Sequence, residues 1–246
     1  MNKKINAIFW DFDGTLVDTR KKNYEITKEI LRMVTDSEIE NITILNSPEE
    51  YDRSIRKCLN WRAFYNTVLG LNEEQTSRAG TLWTEYQLRN KTPTPPFEGI
   101  IDVVQSFLTI PQGIISQNSS RAIRNILREN KIEQFFEFII GYEEVGFDFQ
   151  KPAPKGLLQA IDNLDLENNK CIALFIGDHE TDVLFVNNTK LILQDEKPGI
   201  KVVSIGALYG YDKAIKTWRY QPDFKAEQVT DLIAIQEEIM QAHAND

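Results

Sequence analysis

Asp11 and Asp13 stand two apart in the run Asp11-Phe12-Asp13-Gly14-Thr15-Leu16, directly after the apolar segment Ile5–Trp10. Two carboxylates that converge at a strand end repel each other unless a cation lies between them. Hard oxygen ligands in small number suit Mg²⁺, which usually keeps waters and takes substrate phosphate oxygens besides. Gly14 permits the turn that this convergence needs. The same residues would also make an ordinary acidic turn, since Asp and Gly are common there. A second acidic group changes the balance. Gly177-Asp178-His179-Glu180-Thr181-Asp182 follows the apolar run Cys171–Ile176. Asp178 thus falls just past a strand's carboxyl end, where doubly wound sheets bind ligands. Asp182 lies one helical turn further on and faces the same way. Alone, that pair is a helix N-cap and a first-turn carboxylate; beside Asp11 and Asp13 it becomes the other half of a metal cage.

Two more segments offer what an anionic substrate needs. Gly113-Ile114-Ile115-Ser116 ends in a hydroxyl and is followed by Gln117 and Asn118. These are donors for phosphate oxygens beside a helix N-terminus, and locally they read as well as a capped turn. Lys151 precedes Pro152-Ala153-Pro154 and Lys155, and the prolines limit where it points. An ammonium there offsets both acidic charge and the charge that develops on a transferring phosphoryl group. In isolation Lys151 is a surface lysine in a turn, and Lys155 competes for the role.

These groups meet only if their segments alternate as strands and helices. Ile5–Trp10 has the short apolar pattern of a buried strand. From Lys22 to Val34, Tyr24, Ile26, Ile30, Leu31 and Val34 recur at helical spacing. Ser47-Pro48-Glu49-Glu50 joins a capping box to proline at the first helical position, which predicts a helix through Ile55 and Leu59. Asn72-Glu73-Glu74-Gln75 opens another, with Ala79, Leu82, Trp83 and Tyr86 inward. Thr92-Pro93-Thr94-Pro95-Pro96 then fixes an extended linker. Beyond it come helix 98–108, strand 113–116, helix 120–129, strand 138–141, helix 155–164, strand 171–176, helix 181–187, strand 201–205 and helix 229–240. Such alternation over short connections implies an α/β chain with a parallel sheet covered on both faces. Ile5–Trp10 has no helix partner nearby and joins that later sheet. The expected division is a core of residues 1–17 and 96–246 with a helical insertion of residues 18–95. The stretch Lys190–Gly210 has the weakest pattern.

Composition bounds the partners. The chain has 246 residues, 28 Lys and Arg against 37 Asp and Glu, and a net charge of −9. That argues against a nucleic-acid partner, which wants a basic face, and against an anionic membrane surface. Cys58, Cys171, His179 and His243 sit in no metal-ligand spacing, which argues against a Cys/His zinc site. Two distant cysteines read as buried thiols in a reducing compartment. Lys3 and Lys4 precede an apolar run too short for a signal peptide, and no segment approaches the ~20 apolar residues of a membrane span. The expectation is a soluble, cytoplasmic protein.

Asp11-Phe12-Asp13-Gly14-Thr15-Leu16, Ser116, Lys151-Pro152-Ala153-Pro154 and Gly177-Asp178 with Asp182 resemble, in order and on the expected strand ends, the four motifs of the haloacid dehalogenase-like (HAD) superfamily. The insertion resembles the C1-type cap of the phosphoglycolate phosphatase and β-phosphoglucomutase branch. The resemblance implies a Rossmann-like core with an all-helical cap, bound Mg²⁺ and an aspartyl-phosphate intermediate, in a phosphatase acting on a small phosphorylated metabolite such as phosphoglycolate. It places the nucleophile on Asp11, the general acid/base on Asp13, the phosphate-binding hydroxyl on Ser116 and the lysine on Lys151. The metal would be held by the Asp11 carboxylate, the Asp13 carbonyl and the Asp178 carboxylate, with Asp182 supporting the metal shell or orienting Lys151. The second motif often reads Thr-Asn; here Gln117 separates Ser116 from Asn118, which is carried over as a substrate-binding residue. His179 is given no chemistry. The insertion would act as a lid hinged at 17–22 and 93–96, with Arg20, Lys21, Lys22, Arg53, Arg56, Lys57 and Trp61 as candidate specificity residues. Arg53, Arg56 and Lys57 share a helical face by spacing, which also describes a solvated charged stripe.

Other chemistries use parts of this set. A haloacid dehalogenase needs neither a metal nor an acid at Asp13, so Asp13 and Thr15 argue against it. A phosphomutase uses the same four motifs. A non-enzymatic phospho-acceptor switch also clusters acids with a hydroxyl and a lysine, but it is shorter and pairs its acids differently along the chain. Phosphoglycolate, sugar phosphates and nucleotides all fit as substrates, and the oligomeric state is open.

Overall fold

Six apolar segments pair into one parallel sheet. The computed structural model describes residues 5–35, 39–166, 171–210 and 218–244; Lys3, Lys4 and the His243 side chain lie outside them. The strands are β1 (Ile5–Trp10), β2 (Gln112–Ile115), β3 (Phe138–Ile140), β4 (Cys171–Gly177), β5 (Ile200–Ala207) and β6 (Phe224–Ala226). They lie in the order β3-β2-β1-β4-β5-β6, with every pairing parallel. Helices α1 (Arg20–Val34), α2 (Pro48–Ile55), α3 (Trp61–Ala63) and α4 (Glu73–Arg89) occupy the insertion. Helices α5 (Ile100–Ser106), α6 (Ser120–Glu129), α7 (Tyr142–Val145), α8 (Lys155–Asn163), α9 (Glu180–Glu196) and α10 (Asp231–Ala244) follow the linker. No helix among the described residues is long and apolar enough to cross a membrane.

The first strand sits in mid-sheet because it is apolar on both faces. Successive strand residues point to opposite sides. Ile8 and Trp10 enter one core with Leu174 and Ile176, while Ala7 and Phe9 enter the other with Ala173 and Phe175. The register against β4 shifts between Ile5 and Ala7, and the Asn6 side chain fills the gap by accepting the Ile172 N–H at 3.0 Å. Trp10 is fully buried and its indole donates to Gln112 Oε1 at 3.0 Å. Truncating a tryptophan held this way costs about 3–5 kcal/mol.

The chain divides into two compact units, Met1–Val17 with Pro96–Asp246, and Asp18–Pro95. The second has its own core, built on Ile26, Ile30, Leu31, Tyr51, Phe64, Tyr65 and Ala79. Phe64 and Tyr51 meet edge to face at 5.5 Å, and the Thr27 and Tyr51 hydroxyls share a hydrogen bond of 2.9 Å. Helix α2 stops at Ile55 with Arg56 as C-cap, and Leu59 is exposed. The helix therefore does not run through Leu59, and Arg53, Arg56 and Lys57 do not form a continuous helical stripe. Several proposed specificity cations have partners inside their own unit. Lys22 Nζ donates to the Asn90 carbonyl at 3.0 Å, Arg20 pairs with Asp18 at 2.6 Å and Arg56 with Asp52 at 3.1 Å. Trp61 packs edge to face on Tyr65 at 5.8 Å.

Helix α9 runs nine residues past the expected end at Asn187, to Glu196. Two polar residues beyond that end are bonded within the fold: Asn188 donates to the Pro152 carbonyl at 2.9 Å, and the buried Thr189 hydroxyl bonds back to the Phe185 carbonyl at 2.9 Å. The weakly patterned stretch 190–210 thus holds the end of α9 and the whole of β5.

Candidate active site

The site is assembled at the carboxyl ends of β1, β2 and β4. Backbone bonding carries the sheet one residue past β1 and past β2. The Asp11 N–H donates to the Ile176 carbonyl at 2.8 Å, and the Ser116 N–H to the Ile140 carbonyl at 2.9 Å. Gly14 turns the chain away with φ 81°, a conformation side chains disfavour. Asp11, Ser116, Asn118, Lys151, Asp178 and Asp182 are all buried, while Asp13 is half-buried.

Lys151 is the hub. Its ammonium lies 2.5 Å from Asp11 Oδ1 and 2.6 Å from Asp182 Oδ1. The Lys151–Pro152 peptide is cis. The backbone around Lys151 is held from two sides, by Asn188 at the Pro152 carbonyl and by Gln117 Nε2 donating to the Lys151 carbonyl at 2.9 Å. Gln117, the residue that interrupts the expected second motif, is therefore a brace. Lys155, the competing lysine, instead donates to the Val145 carbonyl at 2.8 Å. Asp182 is fixed by helix capping: its Oδ2 accepts the His179 N–H at 3.1 Å, while His179 Nδ1 accepts the Thr181 N–H at 3.2 Å. His179 acts as the N-cap of α9. Gly177 gives Asp182 its room, since a Cβ there would fall 2.4 Å from the Asp182 carboxyl carbon.

Carboxylate oxygens of Asp11, Asp178 and Asp182 all lie within 4.8 Å of one another. Asp13 faces elsewhere: its Oδ2 accepts from Asn118 Nδ2 at 3.0 Å. Burial pushes the Asp11 carboxyl well above the usual carboxylate range; the Lys151 charge opposes this, and Asp182 and Asp178 add to it. For Lys151, burial works against the charged form, but Asp11 and Asp182 outweigh it and hold the ammonium firmly cationic. The Lys151 ammonium stands between two of these carboxylates, and clustered all-oxygen donors of this kind fit a divalent cation.

Ser116 and Lys151 line one small pocket. Ser116 Oγ accepts the Asn118 N–H at 3.2 Å, which leaves its hydroxyl proton to donate. Two site residues carry no readable sequence signal. Tyr209 donates to the Thr15 carbonyl at 3.0 Å and so pins the turn after Asp11. Its phenol is raised by burial and by the charges of Asp178 and Asp11. Glu143 bonds the turn after Ser116, accepting from Ser119 Oγ at 2.5 Å.

The chain is similar in sequence and fold to known proteins. Pyrophosphatase PpaX of Listeria monocytogenes is 23% identical over 244 residues, covering 96% of this chain and 98% of the relative. A haloacid dehalogenase-like family hydrolase from Streptococcus pneumoniae superposes with TM-score 0.67 at 19% identity, covering 94% of this chain and 98% of that one. A protein described as a predicted phosphoglycolate phosphatase from Haemophilus somnus gives 0.64 at 16% identity, covering 96% and 98%. The match to the family haloacid dehalogenase-like hydrolase extends over residues 8–191, from within β1 into α9, and the chain belongs to that family.

Proposed function

We propose that this hydrolase is a Mg²⁺-dependent phosphatase that cleaves a small phosphorylated metabolite through an aspartyl-phosphate on Asp11. The observation that carries the reading is the shared ammonium of Lys151, 2.5 Å from Asp11 and 2.6 Å from Asp182, beside a third buried carboxylate. Mg²⁺, held by the carboxylates of Asp11 and Asp178 and the carbonyl of Asp13, would offset the phosphate's charge. Lys151 and the Ser116 hydroxyl bind phosphoryl oxygens. Asp11 attacks phosphorus in line. Asp13 gives a proton to the departing oxygen and later takes one from the hydrolytic water. Asp182 keeps Lys151 aimed at Asp11. In this reading the 18–95 unit is the cap and carries substrate choice.

The Listeria relative is named a pyrophosphatase, which favours inorganic diphosphate as a second substrate class beside phosphoglycolate-like monoesters. A panel of phosphoglycolate, sugar phosphates, nucleotides and diphosphate, read by phosphate release with and without Mg²⁺, tests both. The expected result is release only with the metal. Asp11→Asn should fold and lose at least about 10³-fold in rate, because a nucleophile and its activating charges fail as a unit. Near wild-type turnover by that variant would overturn the assignment.

A further inference from the structure

Asn118 is locked in one orientation by its neighbours. Its Oδ1 accepts the Ser119 N–H at 2.7 Å, so the atom facing Asp13 is the amide nitrogen, which donates to Asp13 Oδ2 at 3.0 Å. An amide NH₂ donates and does not accept. Asp13 Oδ2 is thereby committed as an acceptor, and a proton that Asp13 delivers must leave from Oδ1. The turn that carries Asn118 is itself clamped. Glu143 accepts from Ser119 Oγ at 2.5 Å and from the Ser120 N–H at 2.9 Å, and the Tyr142 N–H donates to the Asn118 carbonyl at 3.1 Å. The packing leaves no slack: a Cβ on Gly141 would lie 2.4 Å from Ser120 N and 2.6 Å from the Asn118 carbonyl oxygen.

We infer that Asn118 is a positioning residue for Asp13, holding the carboxyl by Oδ2 and presenting Oδ1 to the departing oxygen, with Glu143 clamping the turn. The inference rests on Asp13 being the acid of the proposed reaction. In the first half, the Asp13 Oδ1–H bond breaks and its proton passes to the leaving oxygen. The bond from that oxygen to phosphorus breaks as the Asp11–phosphorus bond forms. In the second half, water oxygen attacks phosphorus, the Asp11–phosphorus bond breaks, and one water proton goes to Asp13 Oδ1.

Leaving-group dependence separates this role from a structural one. An alkyl phosphate needs a protonated leaving group, whereas para-nitrophenyl phosphate expels a stable phenolate. With Mg²⁺ present, Asn118→Ala should lower kcat/KM for the alkyl ester about 10- to 100-fold, within the usual worth of a placed general acid. The aryl ester should fall less than about 3-fold. Asn118→Asp keeps the acceptor for the Ser119 N–H and sets a carboxylate oxygen in place of the donor against Asp13 Oδ2, so it too releases Asp13 and should give the same split even if the alanine variant folds poorly. Equal losses on both esters would overturn the inference and make Asn118 a phosphate ligand or a structural residue. Asp13→Asn is the control. If it also shows no split, the reading of Asp13 as the acid fails; if it shows the split and both Asn118 variants do not, only the inference fails.

Discussion

Removing the Lys151 ammonium would take from the buried Asp11 and Asp182 the cation they share. Breaking a buried ion pair from one side costs about 3–5 kcal/mol, so Lys151→Met should lower stability by that order. A divalent cation should restore part of it, measured as melting temperature with and without Mg²⁺. The sign of the pH dependence follows from the same charges. Asp11 is raised by burial and its acidic neighbours, so between the ordinary aspartate value and its raised value the folded state binds the extra proton. Stability of the metal-free protein should therefore fall as pH rises through that window, and Asp11→Asn should flatten the slope. Lys151 contributes stability that is complete below the ordinary lysine value and is lost only above it, because its own value is raised. At this scale the sequence was legible where chemistry and strand ends coincide. Asp11, Asp13 and Asp178 follow apolar runs, Lys151 stands before two prolines, and Asp182 is one turn from Asp178. Gln117, Glu143 and Tyr209 were not legible, because their roles exist only through partners 34, 24 and 194 residues away.

Strand ends deliver these groups, and the junction of β4 with α9 is the tightest of them. At Gly177 any side chain would strike the Asp182 carboxyl, 2.4 Å from the site of a Cβ. Gly177→Ala should push Asp182 off Lys151 and cost at least about 10-fold in kcat, since small misplacements at a reacting site are amplified in rate. Circular dichroism should show the helices unchanged. An alanine variant with full activity would show that Asp182 does not orient Lys151. The apolar periodicity disclosed β1, β2, β4, α1 and α6 because burial on a fixed face enforces it. It missed β6, a three-residue strand after Asp223, and overshot at Leu59, where the C-cap ends α2. Short elements and helix ends are decided by tertiary bonds that periodicity does not encode.

At the scale of the molecule, the acidic core unit is discontinuous in sequence, and its two pieces meet side by side where the 18–95 segment departs. Val17 bridges Pro96 in antiparallel fashion, and the Phe97 N–H donates to the Leu16 carbonyl at 3.2 Å. The ends of the insertion are thus already closed by the core, and its own apolar cluster is separate. Replacing residues 18–95 with a short Gly-Ser linker should leave a core that melts cooperatively; a molten far-ultraviolet transition would show that the core needs the insertion.

The central place of β1 also governs how the chain is born. Its neighbours β2 and β4 begin only at Gln112 and Cys171. At roughly 5–20 residues per second on the ribosome, β1 waits on the order of 5–20 s for β2 and 8–30 s for β4, and its second edge stays open to foreign strands until then. Slower translation, or chaperones that shelter this one hexapeptide, should therefore change the yield in a cell.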